Sequence, residues 1–231
     1  MLNTLFRSRA RLTLLLAAVF TVNFVVTSAQ SRYALGSTRQ YHITSAVHQF
    51  ERNFSFESHD ATNLLAVYGY SVAYFFLFPL LGMAVALELA QRNEMAPYRV
   101  FVFAVTIDYL VSLPFYLFFP VLERWAYPDS GAMLLSDRLS PKLIEAIRPM
   151  SALNDCFPSF HVSMTVVLIA TCYLFQIRLR TVVFFLGIII ILSTFVLGIH
   201  WVADILAGLS TGVLSIALAL RITNASARQR T

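Results

Sequence analysis

Apolar residues run along this chain in blocks, not in short periodic stripes. Six blocks approach the roughly 20 residues that a bilayer crossing needs. They are Leu12–Ala29, Leu64–Leu87, Val100–Phe119, Val162–Ile177, Thr181–Ile199 and Trp201–Leu220. Each predicts a transmembrane helix, and the last two are separated only by a turn around Gly198-Ile199-His200. One polar stretch has a different pattern. In Thr38–Phe54, Tyr41, Ile43, Val47, Phe50 and Phe54 recur at helical spacing among polar neighbours. This segment is either an amphipathic helix lying in the outer interface or a loop packed on the bundle. A third pattern sits between the third and fourth blocks. Ser140 is a good N-cap, Pro141 suits the first helical position, and Pro149 ends the short helix they predict.

Composition supports the block reading. Of 231 residues, 58% are hydrophobic and 13% are charged, with mean hydropathy +0.70. A soluble domain of this size would not cover that much apolar surface. The expected fold is therefore all-α: a polytopic membrane protein of six transmembrane helices with an interfacial helix in the first outer loop. A single membrane domain fills residues 1–231. It comprises N-terminal spans over 1–99, a core over 100–220 and a cytoplasmic tail over 221–231. The first block follows Arg7, Arg9 and Arg11 and ends in Thr27-Ser28-Ala29, which is also the form of a secretory signal. Its length favours a retained span, and either reading puts the following residues outside.

The net charge of +5 then sets orientation. With the N-terminus inside, ten of the 17 basic residues fall on the inner side, in short segments. No aromatic-basic pattern of a nucleic-acid reader is present. The two cysteines, Cys156 and Cys172, stand about 20 Å apart at helical rise, too far for a disulfide. No cysteine–histidine spacing of a metal site occurs, and no cofactor is expected. The scattered His42, His48 and His59 read as solvated or interfacial, and Asn53-Phe54-Ser55 is a glycosylation sequon.

This topology brings Lys142, Arg148, Ser159, His161, Ser193, His200 and Asp204 to one side at similar depth. His200 and Asp204 are an i,i+4 pair. An unpaired carboxylate inside a membrane costs about 2.5–3.5 kcal/mol, so Asp204 needs a partner, and His200 is the natural one. A carboxylate on one imidazole nitrogen fixes the tautomer and frees the other nitrogen to attack. A second imidazole can give a proton to a leaving oxygen. Cations and a helix start can hold phosphate oxygens. Together these groups suit metal-free phosphoryl transfer. Mid-span Asp108 reads as a structural hydrogen-bonding group, and Gly208 with Gly212 as a helix-packing face.

These residues resemble the type 2 phosphatidic acid phosphatase superfamily, which includes vanadium haloperoxidases and bacterial acid phosphatases. Its motifs are Lys-x6-Arg-Pro, Pro-Ser-x-His and Ser-Arg-x5-His-x3-Asp. Pro158-Ser159-Phe160-His161 matches the second, and Ser193, His200 and Asp204 match the third. The resemblance covers residues 100–220. It implies that His200 is the nucleophile, Asp204 its orienting partner and His161 the leaving-group acid. Arg148, Lys142, Ser159 and Ser193 would bind the substrate phosphate. Two positions depart from the pattern. Five residues, not six, separate Lys142 from Arg148, and Thr194 stands where the family has arginine. The second departure resembles the branch of inositol phosphorylceramide and sphingomyelin synthases.

The expected substrate is a phospholipid or isoprenoid phosphate, met among membrane lipids, with no nucleic-acid partner. Water as acceptor would make a phosphatase; a bound alcohol would make a head-group transferase. A non-catalytic lipid-binding protein or transporter that kept the residue shell is the alternative outside enzymes. The site is expected to be extracytoplasmic, in the cell membrane of a prokaryote or a secretory-pathway membrane of a eukaryote.

Overall fold

A computed structural model describes residues 2–33, 38–52, 63–138, 142 and 153–228. These residues form helices joined by turns, with no strand among them beyond one isolated bridge between Val121 and Asp155. The helices are α1 (Leu2–Tyr33), α2 (Thr38–Arg52), α3 (Leu64–Gln91), α4 (Met95–Phe118), α5 (Phe160–Leu174), α6 (Arg180–Val196) and α7 (Val202–Arg228). Four of them, α1, α3, α4 and α7, are long and apolar enough to cross a membrane; α5 and α6 are apolar but shorter. Large apolar side chains such as Leu14, Leu65, Leu110, Phe185 and Val213 are more than half exposed on the helices' outer faces. Water would not tolerate so extended an apolar surface, whereas lipid tails would. The chain is an integral membrane protein.

The blocks and the helices differ at their ends for local reasons. The fourth block was expected to reach Ile177, but α5 stops at Leu174, and Gln176 turns the chain with φ 51°. The fifth was expected to reach Ile199, but α6 stops at Val196. Gly198 follows with φ 76°, a conformation that favours glycine, and a Cβ there would lie 2.5 Å from the Met133 carbonyl oxygen. In α3 the chain passes through one wide turn at Ala73–Leu77, closed by Phe78 N–H donating to the Ala73 carbonyl. Pro79, which has no N–H, follows at once and removes the ordinary bond to Phe75.

Helices α4, α5 and α7 form the centre, with α6 on α5 and α1 along α4. The main core gathers Val19, Leu81, Val85, Phe101, Val105, Leu168, Ile190 and Ile216 from six helices. Asp108 sits at 0% exposure in α4 and takes hydrogen bonds from Ser163 of α5 (2.7 Å) and Ser215 of α7 (3.3 Å). This is the structural role expected for it, since it ties the three central helices together. Gly208 and Gly212 let α7 lie against α5 so closely that a Cβ would stand 2.7 Å from the Ser159 carbonyl oxygen and 2.6 Å from that of Ser163.

The segment from Thr38 is helical, and the face it turns to the bundle is mixed: Ile43 and Val47 pack on the cluster around Val121 and Trp201, beside buried polar groups. Gln40, Thr44 and Glu51 are buried, while Tyr41 and Phe50 are exposed. Burial is possible because these polar groups find partners. Thr44 Oγ1 accepts from Leu122 N–H at 3.0 Å, and Glu51 faces the Arg124 guanidinium at 3.9 Å. His48 is also not simply solvated, since its ring packs on Tyr127 and Trp201. His59, the sequon at Asn53, the short helix over 140–149 and Phe54 lie outside the described residues.

Candidate active site

The turn between α6 and α7 carries His200. It is held mainly by backbone. Arg124 N–H donates to the Ile199 carbonyl, Trp125 N–H to Gly198 and Leu135 N–H to Leu197, all at 2.9–3.2 Å. The loop after α4 thus wraps the turn from one side. Trp201 closes it from the other: its ring is 1% exposed, and its Nε1–H donates to the Leu122 carbonyl at 2.8 Å. Asp204 is fully buried in the first turn of α7. Its Oδ2 lies 3.3 Å from His200 Nδ1 and accepts from Trp201 N–H at 2.9 Å. The expected i,i+4 pair therefore forms, with Nδ1 turned to the carboxylate. Cys156 Sγ approaches the same nitrogen at 3.1 Å. Burial, with carboxylates nearby, pushes the Cys156 thiol well above its ordinary range, so it stays protonated and donates to the Ile199 carbonyl.

His161 enters from α5. Ser159 N–H donates to the Asp204 backbone carbonyl at 3.1 Å, which pins the start of α5 to the start of α7. The imidazole is flanked by two rings of α3, Tyr74 at 4.0 Å between centroids and Phe78 at 4.3 Å. The two histidine rings stand 6.4 Å apart. This is the separation of the ring centroids, and the ring planes are inclined at 55°.

Both histidines line one polar cavity. Its other walls include Asn23, Thr27, Tyr74, Tyr116, Glu123, Asp155 and Cys156. Two of these are carboxylates that the motifs do not contain. Asp155 accepts from Thr27 Oγ1 at 3.2 Å, and Glu123 accepts from the Trp125 indole N–H. Burial, with the Glu123 charge beside it, pushes the Asp155 carboxyl up to about 7. A sequence signal existed for Asp155, which stands three residues before Pro158.

The remaining predicted site residues fall elsewhere. Ser159 is fully buried, and Ser193 turns its hydroxyl to the Ile190 carbonyl at 2.6 Å; neither is among the cavity walls. Lys142 is exposed. Arg148 lies outside the described residues. Thr194 is buried and donates to the Ile191 carbonyl, while its own carbonyl accepts from His200 N–H. Arg124 is nearby but does not line the cavity: it faces Glu51 and lies over the Phe195 ring at 4.9 Å. For metal binding, the Cys156, His200 and Asp204 donor atoms lie within 4.8 Å of one another, a ligand set that zinc accepts.

A family model described as the PAP2 superfamily matches residues 44–218. The chain belongs to the PAP2 superfamily. Members are phosphoesterases, which supports an enzyme, and His161, His200 and Asp204 all fall inside the matched region. Helix α1 falls outside it. No curated protein and no solved structure matches the chain.

Proposed function

We propose that the protein is a membrane lipid-phosphate phosphatase or phosphotransferase that works through a phosphohistidine on His200. The observation that carries this reading is the shared cavity, in which a carboxylate-oriented imidazole faces a second imidazole 6.4 Å away. His200 Nε2 attacks phosphorus while Nδ1–H is held by Asp204. The P–O bond to the leaving alcohol breaks, and His161 gives that oxygen its proton. Water or an alcohol then attacks the phosphohistidine. His161 takes the acceptor's proton, and the P–N bond breaks. No step calls on a metal. Arg148 and Lys142 are the cations assigned to the phosphate oxygens.

The six-span topology belongs to the same reading. Helices of 15 and 17 residues span about 22 and 26 Å at 1.5 Å per residue, short of a bilayer core of about 30 Å. Both are flanked by longer helices, and the turns Phe175–Leu179 and Leu197–Trp201 extend them. The basic-residue bias places the His200 end outside the cytoplasm, with the Tyr41 and Phe50 face of α2 in the outer interface.

Transfer to an alcohol, as in inositol phosphorylceramide synthases, has its own support. Two carboxylates beside a phosphate site repel the phosphate, but they accept hydrogen bonds well from hydroxyl groups. Glu123 and Asp155 thus suit a polyhydroxylated acceptor.

The test is to incubate purified protein with phosphatidic acid or a prenyl phosphate carrying labelled phosphorus, and to look for acid-labile label on the protein. Label on the wild type and none on His200→Ala is expected. Full turnover by His200→Ala would overturn the mechanism. Absence of turnover on every lipid phosphate would favour a non-catalytic lipid-binding protein. Adding a polyol separates transfer from hydrolysis by the product formed.

A further inference from the structure

A second cavity lies directly inward of the polar one. It is a groove lined by Leu16, Phe20, Phe78, Gly82, Met83 and Leu168, among other apolar groups. Its walls come from the same helices as the polar cavity. Helix α1 contributes Asn23 and Thr27 to the polar cavity and Leu16 and Phe20, one to three turns away, to the groove. Helix α3 contributes Tyr74 to the first and Phe78 with Gly82 to the second; α5 contributes His161, then Met164 and Leu168. On all three helices the step runs in the same direction, so the polar cavity and the apolar groove follow one another along the same helices. Phe78 is the joint, since it lines the groove and touches the His161 ring. The groove floor is closed by buried Phe101, Met164 and Leu168, while its rim is exposed at Met83 and Phe20. A molecule can therefore enter sideways from the lipid.

We propose that this groove holds one hydrocarbon chain of the lipid substrate, with α1 as its outer wall. The inference rests on the phosphoryl-transfer reading and adds where the chain lies and which element selects it. Helix α1 lies outside the region matched by the family model, whereas the other groove walls lie inside it. An amphiphile with its phosphate between His161 and His200 would lay its first carbons past Phe78 and its tail along Leu16, Gly82 and Leu168. Gly82 keeps the groove open: a Cβ there meets nothing within 4 Å, so a side chain added at this wall would take space the tail would use.

The experiment uses the full-length protein in proteoliposomes, with phosphatidic acid carrying a diazirine on one long acyl chain. Cross-linked residues are mapped by mass spectrometry. Wild type should label at Phe20, Met83 and Leu168. Gly82→Leu and Leu16→Trp, which fill the groove from facing walls, should each cut that labelling about tenfold. They should also raise KM for a long-chain substrate about tenfold without raising it for a short-chain phosphate ester. Gly69→Ala, on the same helix but away from the groove and equally free of clashes, is the control. Labelling that survives both groove variants, or that maps to the outer faces of α6 and α7, overturns the proposal even if turnover is normal. Loss of labelling as expected, without turnover on any ester, would leave the groove standing and sink the reaction instead.

Discussion

The two histidines of the site are held by opposite means. His200 is gripped by polar contacts: Asp204 and Cys156 at Nδ1, and backbone bonds on three neighbouring residues. His161 is gripped by shape. Its ring lies among the Tyr74 and Phe78 rings, and no described residue hydrogen-bonds its ring nitrogens. The contrast suits the two chemical jobs proposed for them. A nucleophile needs one fixed tautomer, which only a specific acceptor provides. A group that gives a proton and later takes one must change protonation state, and a carboxylate partner would oppose one of those states. Stacking holds the ring in place without a fixed hydrogen-bond partner at either nitrogen.

The contrast can be attacked from both ends. The largest effect should come from Asp204→Asn, which keeps the shape but loses the tautomer control. A fall in kcat of about 10³–10⁴ is expected, measured with phosphoenzyme formation on a fast timescale. A loss under tenfold would mean that polar grip is not what prepares His200. His161→Ala should cost about 10²–10⁴ with an alkyl leaving group and far less with a p-nitrophenyl ester, whose leaving oxygen needs no proton. Equal losses on both esters would remove the acid role from His161. A smaller effect is expected at the stacking ring. Tyr74→Leu should slow turnover about tenfold by loosening His161, while Tyr74→Phe stays within about twofold, because the ring and not the hydroxyl makes the contact. If the two variants behave alike, shape is not the grip. Smallest is the effect of Asp155→Asn, read by thermal unfolding. The Asp155 carboxyl is raised from 3.8 to about 7 in the fold. Its contribution is therefore complete below pH 3.8 and lost as pH rises through 7. The variant should gain a few degrees on wild type between pH 5 and 8; a constant difference would show that Asp155 is ionised throughout.

The two histidines and Asp204 were far more legible in the sequence than their surroundings. Pro158-Ser159-Phe160-His161 and His200-x3-Asp204 have fixed spacings because each lies within one helix start, where local geometry sets the contacts. The same locality made the helices readable, except where a single residue such as Gln176 or Gly198 ends one. Glu123, Asp155, Tyr74 and Tyr116 reach the cavity by tertiary packing from four separate segments, which no spacing encodes. The burial of polar groups on α2 was hidden for a related reason. Periodicity shows the apolar positions, of which Ile43 and Val47 do pack inward, but only the partner loop, with Leu122 and Arg124, shows that polar neighbours are buried with them.

The two glycines of α7 carry a meaning beyond packing. His161 rides on α5, and His200 stands at the head of α7, so the gap between the rings is a distance between two helices. At Gly208 and Gly212 those helices meet through a hydrogen atom where any other residue would put a carbon. The gauge of the reaction is thus set by what is missing, at points one to three turns below the chemistry. A methyl group added there would act like a shim, widening the jaws while leaving every reacting group intact.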